Sequence, residues 1–221
     1  MEKKKIVAVV PIKLNSQRLP QKNIKRFTNG KPLCWYILST LLKVSDIDDV
    51  YVYCSNPTIK KFIPDKVKFL LRSESFDTDD TSMTEILMAF ADVVKADIYV
   101  MTHVTAPFVK KSSIEKGLRA VMHDGYDSAF AAKKVQDFLW KDGVPFNYEL
   151  DNIPRTQDLR PLYMETSGFY IYEEMVIREW HRRIGDKPFI VEVGEIEGID
   201  IDEEEDFIMA NAINGFMANI E

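Results

Sequence analysis

Short runs rich in valine, isoleucine and tyrosine alternate along the chain with longer segments whose apolar residues recur at three- and four-residue spacing. The first pattern fits buried strands and the second fits helices with one apolar face. Strands are expected near residues 5–11, 49–54, 67–71, 97–104, 127–132, 164–172 and 188–193, and helices near 32–44, 82–95, 112–124, 173–183 and 203–218. Their alternation predicts an α/β fold, a mainly parallel sheet with helices on both faces. Ser82-Met83-Thr84-Glu85 and Ser112-Ser113-Ile114-Glu115 both have the capping-box form, in which hydroxyl and carboxylate satisfy the first N–H groups of a helix. Between about 134 and 162 the pattern loosens around Phe138, Trp140, Asp142-Gly143 and three prolines, Pro145, Pro154 and Pro161. This reads as an insertion in one domain spanning 1–221, suited to a partner surface or to a long functional loop.

Composition narrows the picture. With 221 residues, 46% of them hydrophobic, the chain can bury one substantial core. A net charge of −6 argues against nucleic acid or an anionic membrane surface as partner. No apolar run approaches the roughly 20 residues of a bilayer span, and the lysine-rich start leads into a short strand, so a cytoplasmic protein is expected. Cys34 and Cys54 lack metal-ligand spacing and read as reduced core thiols. The phosphate-loop, dinucleotide, zinc-protease and serine-hydrolase signatures G-x-x-x-x-G-K-[ST], G-x-G-x-x-G, H-E-x-x-H and G-x-S-x-G are all absent.

Candidate chemistry sits at two places. After the run Ile6 to Val10, the stretch Pro11 to Asn23 supplies the cations Lys13, Arg18 and Lys22 with Asn15 and Ser16, a set suited to a polyphosphate at the carboxyl end of a buried strand; a plain solvated loop is the other reading. Near the other end, Asp200 and Asp202 project from one side if Ile199 to Asp202 is extended, and two such carboxylates suit Mg²⁺. Asp202 would serve equally as the N-cap of the last helix.

Four segments in order resemble the CMP-sugar synthetases, the acylneuraminate cytidylyltransferase family. Pro11, Ser16, Arg18, Pro20, Lys22 and Asn23 match its P-A-R-x-x-S-K-R-x-P-x-K-N signature, while Lys13 and Gln17 replace an arginine and a lysine, and Leu14-Asn15 replace a pair that is often glycine. Asn15 is among the few residues that tolerate the left-handed backbone a glycine would give. Arg72, Asp79, Ser82 and Glu85 match R-x(6)-D-x-x-S-x-x-[DE]; Thr105 and Pro107 match L-Q-x-T-S-P, with His103 for the glutamine and Ala106 for the serine. Arg155, Gln157, Asp158, Leu159, Tyr163, Glu165, Thr166 and Tyr170 match R-x-Q-D-L-x-x-x-Y-x-E-[NT]-x-x-x-Y, and Ile199 to Asp202 with Asp206, Phe207 and Ala210 match I-D-x-D and D-[FW]-x-x-A.

The resemblance implies a Rossmann-like nucleotidyltransferase that moves CMP from CTP to an acidic sugar, with Mg²⁺ as cofactor. It implies that Lys22, Arg18 and Asp200 carry catalysis and that Asp200 and Asp202 hold the metal. Lys13, Asn15, Ser16, Asn23, Arg72, Asp79 and Ser82 would bind the nucleotide. His103, Thr105, Gln157, Tyr163 and Glu165 would face the acceptor, a histidine at 103 being expected to titrate near neutral pH. The segment 134–162 would build a homodimer. The departures leave three alternatives open: a 3-deoxy-octulosonate acceptor, a phosphonate acceptor, or a homologue that binds nucleotide without turnover.

Overall fold

A computed structural model describes residues 3–16 and 18–217. In chain order the elements are β1 (Ile6–Ile12), a 3-10 turn (Lys22–Ile24), α1 (Leu33–Leu41), β2 (Asp49–Cys54), β3 (Lys68–Leu71), α2 (Met83–Val93), β4 (Ile98–Thr102), α3 (Lys111–His123) and β5 (Ser128–Val135). Then come a hairpin of β6 (Trp140–Lys141) and β7 (Val144–Pro145), β8 (Leu162–Glu173), α4 (Glu174–Arg178), β9 (Pro188–Val193) and α5 (Glu204–Met217). Seven strands form one sheet in the order β3-β2-β1-β4-β8-β5-β9. All run parallel except β8, which pairs antiparallel with both β4 and β5. The expected α/β architecture is thus present, and the strand order reverses beside β1, where open sheets of this kind leave a crevice.

Burial follows from the strand period. In β1 the residues Ile6, Ala8, Val10 and Ile12 enter one core with α1 and α3, whereas Val7 and Val9 enter the other with α2 and α4. A central strand covered on both faces therefore reads as a continuous apolar run. Cys34 and Cys54 are buried free thiols, and burial pushes the Cys34 thiol up to about 12.

Several boundaries differ from the sequence expectation for visible reasons. The capping box at Ser82 is present: its hydroxyl accepts from the Glu85 N–H and the Glu85 carboxylate accepts from the Ser82 N–H. At Ser112 no such box forms. The helix begins a turn position earlier, at Lys111, and the Lys110 N–H goes instead to the Glu197 carboxylate at 3.0 Å. The helix expected over 173–183 stops at Arg178, and His181 turns the chain with a φ of 53°. The helix expected to reach 218 is described as far as Met217, residue 218 lying outside the described residues.

The expected insertion begins later than 134, because β5 runs to Val135 and β8 starts at Leu162, the two pairing over that length. Between them the β6–β7 hairpin turns on Asp142 and Gly143, both at positive φ, as a two-residue turn of this hand requires. Trp140, Val144, Phe146, Leu150 and Ile153 lie exposed on this arm.

Candidate active site

The loop after β1 is folded back on itself. The Asn23 side-chain amide donates to the Lys13 carbonyl at 2.8 Å, closing the loop's two ends together. The Lys22 N–H donates to the Leu19 carbonyl, and Gln21 takes the left-handed backbone, φ 55°, that starts the 3-10 turn. Asn15 was the residue expected to use that conformation; it does not, and the sharp bend falls at Gln21 instead. Gln17 lies outside the described residues.

These constraints place Lys13, Ser16, Arg18, Lys22 and Asn23 in the wall of a cavity of about 530 Å³ at the carboxyl ends of β1 and β4. Arg72, Asp79, His103 and Thr105 line the same cavity. Lys13 pairs with Asp79 at 3.0 Å. Arg72 is buried, donates to the Ile12 carbonyl and to Asp77, and leaves its Nε without a partner. Its guanidinium is thus an internal strut beside the cavity as well as a cation in its wall. Asn15 is exposed and Ser82 is committed to its helix cap; neither lines the cavity.

The acidic segment reaches this cavity because the Ile201 N–H donates to the Thr105 carbonyl at 2.9 Å. Asp202 then meets Arg18 at 2.8 Å and Lys22 at 3.2 Å, while Lys22 also donates to the Ile201 carbonyl at 2.7 Å. The N-cap reading of Asp202 is settled by Asp206, whose carboxylate accepts from the backbone N–H groups of both Asp202 and Glu203. Those two bonds hold the Asp206 carboxyl below the usual carboxylate range, and the Asp202 side chain is left to face the cations. Asp200 accepts from the Ser167 hydroxyl at 2.6 Å with one oxygen; its other oxygen, Oδ1, is buried without a partner. Among the described residues no three His, Cys, Asp or Glu side chains gather as a metal cluster, so a cation here would rest on these two carboxylates and on oxygens of a substrate.

A second hollow of about 360 Å³ is lined by Asp200 together with Glu165, Thr166 and Ser167. It owes its shape to an irregularity in β8. Phe130 of β5 faces Tyr170, but Ala132 faces Glu165, so Thr166 to Phe169 stand opposite Ala131 alone. A bulge of this kind redirects side chains. Here Thr166 turns to donate to the Ala131 carbonyl and Ser167 turns to Asp200. Gln157 and Tyr163 line neither space: the Gln157 carbonyl accepts from Gln136, and the Tyr163 hydroxyl donates to Glu192.

His103 lines the first cavity within electrostatic reach of Asp200, Asp202, Lys22 and Arg183. Burial, then the Arg183 guanidinium, push its imidazole down to about 4, against the opposing pull of Asp200 and Asp202. The expectation of titration near neutral pH is therefore corrected: desolvation outweighs the acids, and the ring is neutral at pH 7. Arg183 escaped the sequence reading altogether. It follows a short helix with no motif of its own, yet it donates to Glu165 and to the Tyr170 hydroxyl, both at 3.1 Å, and lies 3.9 Å from the Tyr170 ring centre. Ser167 was likewise unremarked, since nothing in the sequence shows where the bulge falls.

Residues 7–193 match the cytidylyltransferase family. The chain belongs to that family. Within it, the chain is 26% identical over 220 residues to an N-acylneuraminate cytidylyltransferase of Oncorhynchus mykiss, covering 95% of this chain but spanning about half, 50%, of the trout protein. It is 22% identical over 183 residues to a pseudaminic acid cytidylyltransferase of Campylobacter jejuni, covering 75% of this chain and 77% of that one. The fold is shared with a CMP:2-keto-3-deoxy-manno-octonic acid synthetase solved with CTP, at a TM-score of 0.74 and 19% identity over 96% of this chain and 99% of the other. It is shared too with a 4-diphosphocytidyl-2C-methyl-D-erythritol synthase from Anaerococcus prevotii, at 0.67 and 14% over 97% of each.

Proposed function

We propose that this cytidylyltransferase-family protein transfers CMP from CTP to an acidic sugar, a sialic acid or a related nonulosonate, and releases pyrophosphate. One observation carries the reading: Lys13, Arg18 and Lys22 line a cavity sized for a small-molecule substrate, Asp202 pairs with two of them, and Asp200, two residues away, lines a second, polar hollow. The names of the trout and Campylobacter relatives support the acceptor class.

The acceptor hydroxyl attacks the α-phosphorus, forming the new P–O bond as the bond to the pyrophosphate oxygen breaks and the hydroxyl proton passes to solvent water. Lys13, Arg18 and Lys22 hold the triphosphate and offset charge growing on the leaving pyrophosphate, so catalysis is by position and electrostatics. Arg18 and Lys22 already neutralise Asp202, and exchanging part of that contact for phosphate keeps both partners satisfied. The unpartnered Oδ1 of Asp200 and the adjacent Asp202 fit Mg²⁺, which would supply charge neutralisation and alignment of the phosphates when bound. His103, with its imidazole lowered to about 4, is a weak base at neutral pH and is not assigned the proton.

The exposed apolar side chains of the 134–162 arm support a homodimer built through that segment, which is also the route by which Gln157 and Tyr163 would reach a neighbouring acceptor site. Use of CTP supports a cytoplasmic location; among the described residues no helix is long and apolar enough to cross a membrane.

The test is pyrophosphate release from CTP and Mg²⁺ with N-acetylneuraminate, legionaminic, pseudaminic and 3-deoxy-octulosonic acids, beside Asp200→Asn. Release with one acid, reduced at least ~10³-fold in the variant, is the expected result. Turnover with 3-deoxy-octulosonate alone would favour the acid for which the synthetase sharing this fold is named. Silence with every acid despite CTP binding would leave a phosphonate acceptor or a non-catalytic homologue.

A further inference from the structure

We infer that Lys133 is the residue that selects an acidic acceptor, by taking its carboxylate in the hollow beside Asp200. This rests on the proposed transfer reaction and deepens it. Among the described residues lining that hollow, Glu165, Thr166, Ser167 and Asp200 bring oxygen atoms, Met164 and Met209 bring apolar surface, and Lys133 alone is cationic. A carboxylate entering a space that already holds two carboxylates is repelled unless a cation stands against it. Lys133 meets that requirement.

The path of the lysine is built into the backbone. A Cβ added to Gly198 would fall 2.6 Å from both Cγ and Cδ of Lys133, so the stem passes close over the Gly198 backbone and a side chain there would oblige it to move. The stem is largely covered, the side chain being only 20% exposed. Its ammonium is tied more loosely, to Glu195 at 3.3 Å, and the Glu195 side chain is 82% exposed. An ion pair to so exposed a partner contributes little and exchanges readily for a ligand. A covered stem ending in a releasable charge is an arrangement suited to a ligand cation. Lys134, the next residue of β5, is exposed and does not line the hollow.

Lys133→Met keeps the stem and removes the charge; Lys133→Arg restores a charge. Affinity for each acid is measured by calorimetry in the presence of CTP without Mg²⁺, and KM for acid and for CTP by pyrophosphate release with Mg²⁺. The expected result is a loss of at least tenfold in affinity and in KM for the acid in Lys133→Met, CTP KM unchanged within twofold, and most of the loss recovered in Lys133→Arg. A second readout uses the acid with its carboxylate converted to an amide: it binds weakly to the natural protein and no more weakly to Lys133→Met. Unchanged acid affinity in a Lys133→Met protein of native melting temperature would overturn the inference while leaving the reaction standing. An acid that binds in a Lys133-dependent way but is never converted would sustain the inference and overturn the reaction. No binding of any acid would overturn both.

Discussion

The two halves of the sheet present functional groups in different ways. On the side of β3, β2, β1 and β4 the strands are parallel and regular, and Lys13, Arg72 and His103 all stand just past strand ends. On the side of β8, β5 and β9, Glu165 and Ser167 come from within a strand, where the bulge of β8 turns them. Strand ends are held by the whole sheet and give a fixed set of charges. A bulge depends on a few local residues, so the side proposed for the acceptor can be retuned without disturbing the loops proposed to hold the triphosphate.

Variants can break this contrast, beginning with the largest effect. Replacing Trp140 and Phe146 by serine together removes two side chains that are 57% and 56% exposed, which costs the folded protomer little. If they are interface anchors, dimer dissociation measured by sedimentation should rise at least ~100-fold, with CTP affinity unchanged. A natural protein that sediments as a monomer would remove the arm from the acceptor side of the comparison.

At the seam between the halves, His103→Gln should reduce acid sensitivity. The folded ring titrates near 4 and the unfolded one near 6.5, so the unfolded state takes up the proton first as pH falls. Stability is therefore lost between about pH 6.5 and 4 and this contribution is level below that, the loss being on the order of 3 kcal/mol. Urea unfolding at pH 7.5 and 4.5 should show this loss in the natural protein and a smaller one in His103→Gln; equal losses would mean the ring is not desolvated. Smallest, on the regular side, Ser82→Ala removes the cap of α2 and should cost about 1 kcal/mol by urea unfolding, without altering substrate KM, because Ser82 serves the helix and does not line the cavity.

The same contrast explains what was legible in the sequence. The strands β2 and β9 fall where the pattern places them, residues 49–54 and 188–193: β2 is largely buried on both faces, and the edge strand β9 keeps Val191 and Val193 in the core between exposed Ile190 and Glu192. The basic loop and Asp202 meet across 180 and more positions, yet both were legible because each segment carries a motif of its own. Arg183, Ser167 and Lys133 were not legible: each acts through an approach between segments distant in sequence, set by the bulge, by the turn at His181 or by the space over Gly198. Capping followed the same rule. The Ser82 box is complete within four residues, but at α3 the competing partner, Glu197, comes from 87 positions away.

The place of β8 in the sheet has a consequence for the birth of the protein. It lies between β4 and β5, yet follows both in the chain. While the polypeptide is being made, the inner edge of β4 has no neighbour until residue 162 and those after it have emerged. A long wait with an open strand edge is when wrong pairing and aggregation compete with folding. The pairing of β8 with β4 and β5 is therefore one late, long-range event, which seats Glu165 and Ser167 and seals that edge together, so that a chain halted before β8 would lack the hollow proposed for the acceptor and keep a sticky edge.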